Sequence, residues 1–131
     1  MLLTATRVVR GIFLEEVHGF LDDRDVILTP DFQQIGASGN VQTFEFQIPS
    51  HKDKKEKLIK TVNNLANVEP NQLTFRFIDV KETRQNAEFF VIANDLDKSI
   101  KKTLINSLYA YDIELIKWSE KEQWVDKLKI V

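Results

Sequence analysis

The chain has 131 residues, of which 43% are hydrophobic and 29% charged, a composition typical of a single soluble globular domain spanning residues 1–131. It contains no cysteine, which excludes disulfides, thiol catalysis and zinc–thiolate sites. The formal net charge of −2 does not favour nucleic acid as a partner, although a local basic patch could still bind it.

The first part of the chain predicts a helix followed by a hairpin. Apolar residues at helical spacing, among them Val9, indicate a helix over residues 4–21. Short strands are predicted on either side of Pro30, and residues 36–40 are rich in glycine and predict a turn. The segment 41–48 then alternates strictly, which predicts a half-buried strand with Phe44, Phe46 and Ile48 on one face.

The rest of the chain predicts further helices and strands. We expect Phe75 and Phe77 to be buried together with Phe44 and Phe46, because they lie in a largely apolar segment. The predicted elements are a helix over residues 50–66, strands over 73–80 and 88–93, a helix over 97–111, a strand over 113–118 and a C-terminal helix from Ser119.

This order, α-β-β-α-β-β-α-β-α, predicts an α+β fold with a mixed, mostly antiparallel sheet and helices packed on it. From Val41 onward the order βαββαβ suits a ferredoxin-like core. A hairpin through residues 36–40 would instead pair the strand that starts at Val41 with the strand that precedes the turn. That arrangement suits a nuclease-like core. Both alternatives stay open at this point.

One group of acidic residues is spaced like the site of a metal-dependent nuclease. Such a site holds two or three carboxylates on one divalent ion, with a lysine nearby to orient the attacking water. Asp31 and Glu45 lie on the two arms of the hairpin and would bind magnesium, with Glu16 as a third ligand. Gln47 then stands where the lysine is expected. Exposure of the polar strand face is the simpler interpretation, and we favour it.

A second group of charged residues follows the predicted strand 73–80. Asp79 ends an apolar face, and we expect it to pair with Lys81 or Arg84 and brace a hairpin. The alternative is a binding role, in which the guanidinium of Arg84 forms a bidentate contact with a carboxylate or phosphate.

A third group is basic. Lys54, Lys55, Lys57 and Lys60 lie on the predicted helix 50–66, where they could neutralise phosphates. Because no arginine or aromatic residue is interleaved with them, a solvated helix face is the favoured interpretation.

Six short motifs distributed along the chain together resemble one known family. They are Phe13-Leu14-Glu15-Glu16-Val17, Ile35-Gly36-Ala37-Ser38-Gly39, Phe44-Glu45-Phe46-Gln47-Ile48-Pro49, Asp79-Val80-Lys81-Glu82-Thr83-Arg84, Asn94-Asp95, and Tyr111-Asp112-Ile113 with Trp118-Ser119. The sequence resembles the bacterial and phage family called domain of unknown function 1829. That family typically has Phe-Asp-Phe where this chain has Phe44-Glu45-Phe46, so an acid is kept, and a lysine near Ala37 that this chain lacks.

The resemblance implies a phage or mobile-element setting and carries no established activity. We therefore expect a cytoplasmic module, not an enzyme, that binds another protein and regulates or inhibits a host defence or nucleic-acid enzyme, with no cofactor and no membrane partner. The alternatives are a degenerate nuclease that uses magnesium and nucleic-acid binding through the lysine-rich segment.

Overall fold

The structure of the chain is a computed structural model that describes the backbone of residues 2–130 and the side chains of residues 11–130. Within this range a sheet of five strands is flanked by helices. The elements are α1 (Leu2–Asp23), β1 (Thr29–Ile35), β2 (Val41–Ile48), β3 (Lys57–Val62), α2 (Pro70–Lys81), β4 (Glu88–Ala93), α3 (Lys102–Ala110), β5 (Ile113–Lys117), α4 (Lys121–Trp124), and 3₁₀ turns at Trp118–Glu120 and Val125–Leu128.

The strands lie side by side in sequence order, β1-β2-β3-β4-β5. The pairs β1–β2 and β2–β3 are antiparallel, whereas β3–β4 and β4–β5 are parallel and are connected through α2 and α3. The sheet is therefore mixed and carries helices on its faces, which confirms the predicted α+β class. It is not mostly antiparallel as predicted, because two of its four strand pairs are parallel.

Two apolar clusters cover the two faces of the sheet. The first cluster joins α1 to the segment after β5, and we call this side the α1 face. There the ring of Trp118 contacts Phe13 and Phe20 edge-on at 5.6 and 5.4 Å, and Arg24 forms an ion pair with Glu122. The second cluster joins α2 and α3 to the opposite side, the α2–α3 face. The side chain of Val9 lies outside the described residues.

The predicted helix 50–66 is wrong, because this segment forms a loop and then β3. Leu58, Ile59 and Val62 fit a helical period, but β3 lies between β2 and β4 and is buried on both faces. A strand that is buried on both faces carries apolar residues in succession. It therefore lacks the alternation of apolar and polar residues by which a half-buried strand is recognised.

The predicted strand 73–80 is also wrong, because the segment is α2. Glu69 caps the helix by accepting hydrogen bonds from the backbone N–H groups of Asn71 and Gln72, and Pro70 occupies the first turn, where its missing N–H costs nothing. Phe77 is buried as expected, but Phe75 lies on the outer side of α2 and is 46% exposed.

These two exchanges replace the predicted order by α-β-β-β-α-β-α-β followed by short helical turns, so the ferredoxin-like core is wrong. The hairpin through residues 36–40 is present, and β2 and β4 have the predicted bounds. The helix predicted over 97–111 is shorter and begins at Lys102. The first predicted strand ends at Thr29, whereas β1 begins there and continues through Pro30.

Strand β2 does not keep one alternation along its length. Phe46 packs on the α1 face, where its ring lies 5.5 Å from that of His18. Phe44 belongs to the α2–α3 face, where its ring lies 5.3 Å from that of Phe77. The predicted common face of Phe44 and Phe46 is therefore wrong. The change of face falls at Glu45, where the paired segment of β2 and β3 ends.

Candidate functional site

Glu45 is held between β2 and β3 at the point where the two strands stop pairing. Paired residues run from Ile48–Lys57 to Phe46–Ile59. Beyond them the Glu45 carboxylate accepts a hydrogen bond from the Thr61 backbone N–H at 2.9 Å and another from the Thr61 hydroxyl at 3.1 Å, both on Oε1. A side chain thus replaces the backbone hydrogen bond that would otherwise join the strands here.

Lys60 completes this arrangement. Its Nζ donates to Glu45 Oε2 at 3.1 Å and to the Thr43 carbonyl at 2.8 Å, and it lies over the Phe44 ring. The two charged side chains are only 14% and 18% exposed. A lysine from the neighbouring strand therefore lies beside Glu45, at a position that the sequence pattern does not indicate.

The other residues of the predicted nuclease site are less closely associated. Asp31 lies between the Pro30–Phe46 and Phe32–Phe44 pairs of β1 and β2, is exposed, and has a φ of 52°, in the left-handed region. Glu16 is exposed on α1. Gln47 donates instead to Glu56 at 2.7 Å. Within residues 11–130, no three histidine, aspartate or glutamate side chains lie close enough together to hold a metal ion.

Arg84 is bound to the edge of the sheet. Its Nε donates to Gln34 Oε1 at 3.0 Å, its Nη1 donates to Glu56 Oε2 at 2.9 Å, and its guanidinium stacks 5.0 Å from the Phe32 ring centre. The expected pair with Asp79 is wrong, since Arg84 instead joins β1 to the loop that precedes β3.

Asp79 is buried and is bound by neutral donors, not by Lys81, which is exposed. Its carboxylate accepts hydrogen bonds from Gln42 Nε2 at 2.8 Å, Ser38 Oγ at 2.7 Å and the Ser38 N–H at 2.8 Å. The bonds from Gln42 and then Ser38 hold the pKa of Asp79 below its ordinary value, since they stabilise the charged form. This Asp79 cluster (Ser38, Gln42 and Asp79) fixes the hairpin end against α2.

The four lysines predicted as one basic helix face are dispersed. Lys57 is buried, with its Nζ 3.3 Å from Glu88, and Lys60 pairs with Glu45. Lys54 donates to the Lys129 carbonyl at 2.8 Å, and Lys55 is exposed in the loop before β3. Because β3 replaces the predicted helix, these side chains do not form a common surface.

A cleft of about 450 Å³ lies between the end of the hairpin and α2. Its walls include Val41 and Phe75, which are 55% and 46% exposed, and Arg76 also lines it. Ile35, which is 60% exposed, pairs with Val41 beside the opening. We call this the hairpin cleft. The sequence interpretation missed it, because it placed Phe75 in a core strand.

These features define an α+β domain with a mixed sheet and a paired glutamate and lysine between its second and third strands. The family model described as domain of unknown function DUF1829 matches residues 36–121, and the chain belongs to this family. The matched region contains Glu45, Lys60, the Asp79 cluster and the hairpin cleft.

A solved structure is similar to this one, namely the crystal structure of a protein of unknown function, AF1548. The TM-score is 0.59 at 16% sequence identity, over 81% of this chain and 58% of that chain. This chain therefore spans little more than half of that protein, and the likeness shows a shared fold. No curated protein matches the sequence. No helix in the described part of the chain is long and apolar enough to cross a membrane.

Proposed function

We propose that this domain is a protein-binding module that regulates or inhibits a host defence or nucleic-acid enzyme in a phage or mobile-element setting. The observation that carries the proposal is the group of exposed apolar side chains Ile35, Val41 and Phe75 at one end of the sheet. Adjacent exposed apolar side chains mark interaction surfaces, and aromatic residues contribute most to binding there.

The environment of Glu45 supports a role without metal chemistry. Both carboxylate oxygens already accept hydrogen bonds from Thr61 and Lys60. A second carboxylate on β3, near Lys60, would be needed to help hold the ion. The residue two positions before Lys60 is Leu58, which is fully buried and offers no ligand. Magnesium requires near-octahedral oxygen coordination, so this donor set fits the ion poorly. The Glu45–Lys60 pair instead serves to join β2 and β3.

The proposal is tested by placing a photo-crosslinking benzoylphenylalanine at position 75, and separately at position 109, in cells of the source organism. Tyr109 is 82% exposed on α3 and provides the matched control. We expect one discrete protein adduct at position 75 and none at position 109. Co-expression of the unmodified chain should suppress the adduct, whereas co-expression of chain carrying Val41→Asp should not. Equal adducts at both positions would contradict the proposal.

A metal-dependent nuclease is the second candidate, and one observation favours it. Glu45 and Lys60 lie side by side where β2 and β3 diverge, and Asp31 lies on the neighbouring strand β1. Asp31 and Glu45 would hold the magnesium, with Glu16 as the third ligand, and Lys60 would take the place first considered for Gln47.

We expect no magnesium- or manganese-dependent cleavage of DNA or RNA, because only one carboxylate adjoins the lysine and its oxygens are already bound. The measurement is a plasmid and single-strand cleavage assay at micromolar protein. Cleavage that is lost in Glu45→Ala and Lys60→Ala, but retained in the exposed control Glu82→Ala, would establish the nuclease in place of our first proposal.

A further inference from the structure

We infer that the hairpin cleft binds a protein segment in which a carboxylate stands beside an aromatic or aliphatic side chain. This inference rests on the proposed function and specifies the chemistry of the partner. It follows from the shape of the cleft, its rigidity and its charge.

The cleft is of suitable size and is already formed in the free chain. Its volume of about 450 Å³ lies within the range of about 300–1,000 Å³ typical of ligand pockets. Its two apolar walls belong to different elements, Val41 to β2 and Phe75 to α2. The hydrogen bonds of Asp79 to Ser38 and Gln42 hold these elements together, so binding does not require them to be ordered first.

The charge of the cleft indicates an acidic ligand group. Arg76 is the charged residue that lines it, together with the amides of Asn40, Gln42, Asn71 and Gln72. The Asp79 carboxylate lies behind the Gln42 amide and is occupied by its hydrogen bonds from Gln42 and Ser38. Within residues 11–130, no acidic side chain forms an ion pair with Arg76. This local positive charge, in a chain of net charge −2, complements a carboxylate, which a guanidinium can bind through two parallel hydrogen bonds. The apolar walls accept the neighbouring side chain.

The test is a titration of the full chain with 4-phenylbutyrate, followed by amide chemical shifts. The phenyl ring of this probe represents the apolar side chain, and its carboxylate represents the acidic one. We expect saturable shifts at Val41, Phe75 and Arg76. The neutral amide of the same acid should bind about tenfold more weakly, since it loses a charge-assisted hydrogen bond.

Three variants give the controls. Arg76→Gln should abolish the preference for the acid over the amide, and Val41→Ser should weaken binding of both. Lys98→Gln, which removes one positive charge from an exposed loop, should change neither. Each variant should retain the dispersed spectrum of the folded chain.

Several results would overturn the inference. They are the absence of shifts at millimolar probe, shifts confined to another surface, or equal affinity for the acid and the amide. Displacement of the probe by duplex DNA would identify a phosphate ligand instead. If position 75 captures a partner protein but 4-phenylbutyrate does not bind, the proposed function stands and this inference alone fails.

Discussion

Replacement of Gly36 by alanine is expected to lower the free energy of unfolding by about 3 kcal/mol or more. A Cβ at this position would overlap the Asp79 carboxylate and lie 2.9 Å from the Asp79 backbone oxygen. Because the backbone of α2 cannot move aside freely, the hairpin end must separate from the helix. Overpacking costs about 1–3 kcal/mol, and depriving a buried carboxylate of its donors costs about 1–3 kcal/mol more.

The measurement is urea unfolding followed by circular dichroism at neutral pH. Gly19→Ala is the matched control, because a Cβ at Gly19 in α1 meets nothing within 4 Å. There the same substitution should stabilise the protein by about 0.5–1 kcal/mol, since alanine favours a helix more than glycine does. A loss below about 1 kcal/mol for Gly36→Ala would contradict the close approach of the hairpin to α2.

Phe46→Ala is expected to cost about 3–5 kcal/mol, the range for removing a buried aromatic side chain. Phe46 is 1% exposed and lies within the apolar cluster of the α1 face, against the ring of His18. Its removal leaves a cavity between the sheet and α1. This cavity can close only if the sheet and α1 move toward each other. Urea unfolding again measures the effect.

Phe75→Ala removes the same atoms from a side chain that is 46% exposed, and it should cost less than about 1 kcal/mol. The pair of variants therefore separates burial from the chemistry of the substitution. Similar losses for both would contradict the placement of Phe75 on the outer side of α2 and would indicate that it belongs to the core.

Local patterns in the sequence predict β2 and β4, the two neighbours of the central strand β3, but not β3 itself. The strict alternation after the 36–40 turn predicts β2, and the apolar run 89–93 predicts β4, each with the observed bounds. In both segments a turn or polar residues adjoin the strand, so its ends are specified by nearby residues. The apolar spacing of Phe13, Val17 and Leu21 likewise predicts α1, although the helix extends two residues beyond the predicted 4–21 at each end.

The exchange of β3 and α2 has a different cause. Residues 58–62 and 73–80 are short apolar segments that satisfy both the helical and the strand period. The choice between them depends on neighbours distant in sequence, since β3 pairs with both β2 and β4. The signal that could have identified α2 is Glu69-Pro70, a helix start with a capping carboxylate and proline in the first turn.

The candidate site was predicted only in part for the same reason. The polar face of β2 points to Glu45, but Lys60 comes from β3, and a prediction that makes β3 a helix does not place Lys60 beside Glu45. Likewise, the donors to Asp79 lie 37 and 41 residues earlier in the chain. A sequence pattern favours partners that are close along the chain, such as Asp79 and Lys81, because it carries no information on distances in space.

The contacts of Trp118 with Phe13 and Phe20 have a consequence for synthesis of the protein. The helix α1 is made before the five strands, yet aromatic residues that cover it are made after β5. The α2–α3 face, in contrast, has all its helices and strands once β5 has emerged from the ribosome. Contacts between distant parts of a chain form slowly, so the apolar surface of α1 stays uncovered until the segment after β5 has been made. During this interval the nascent chain is most exposed to aggregation and to binding by chaperones.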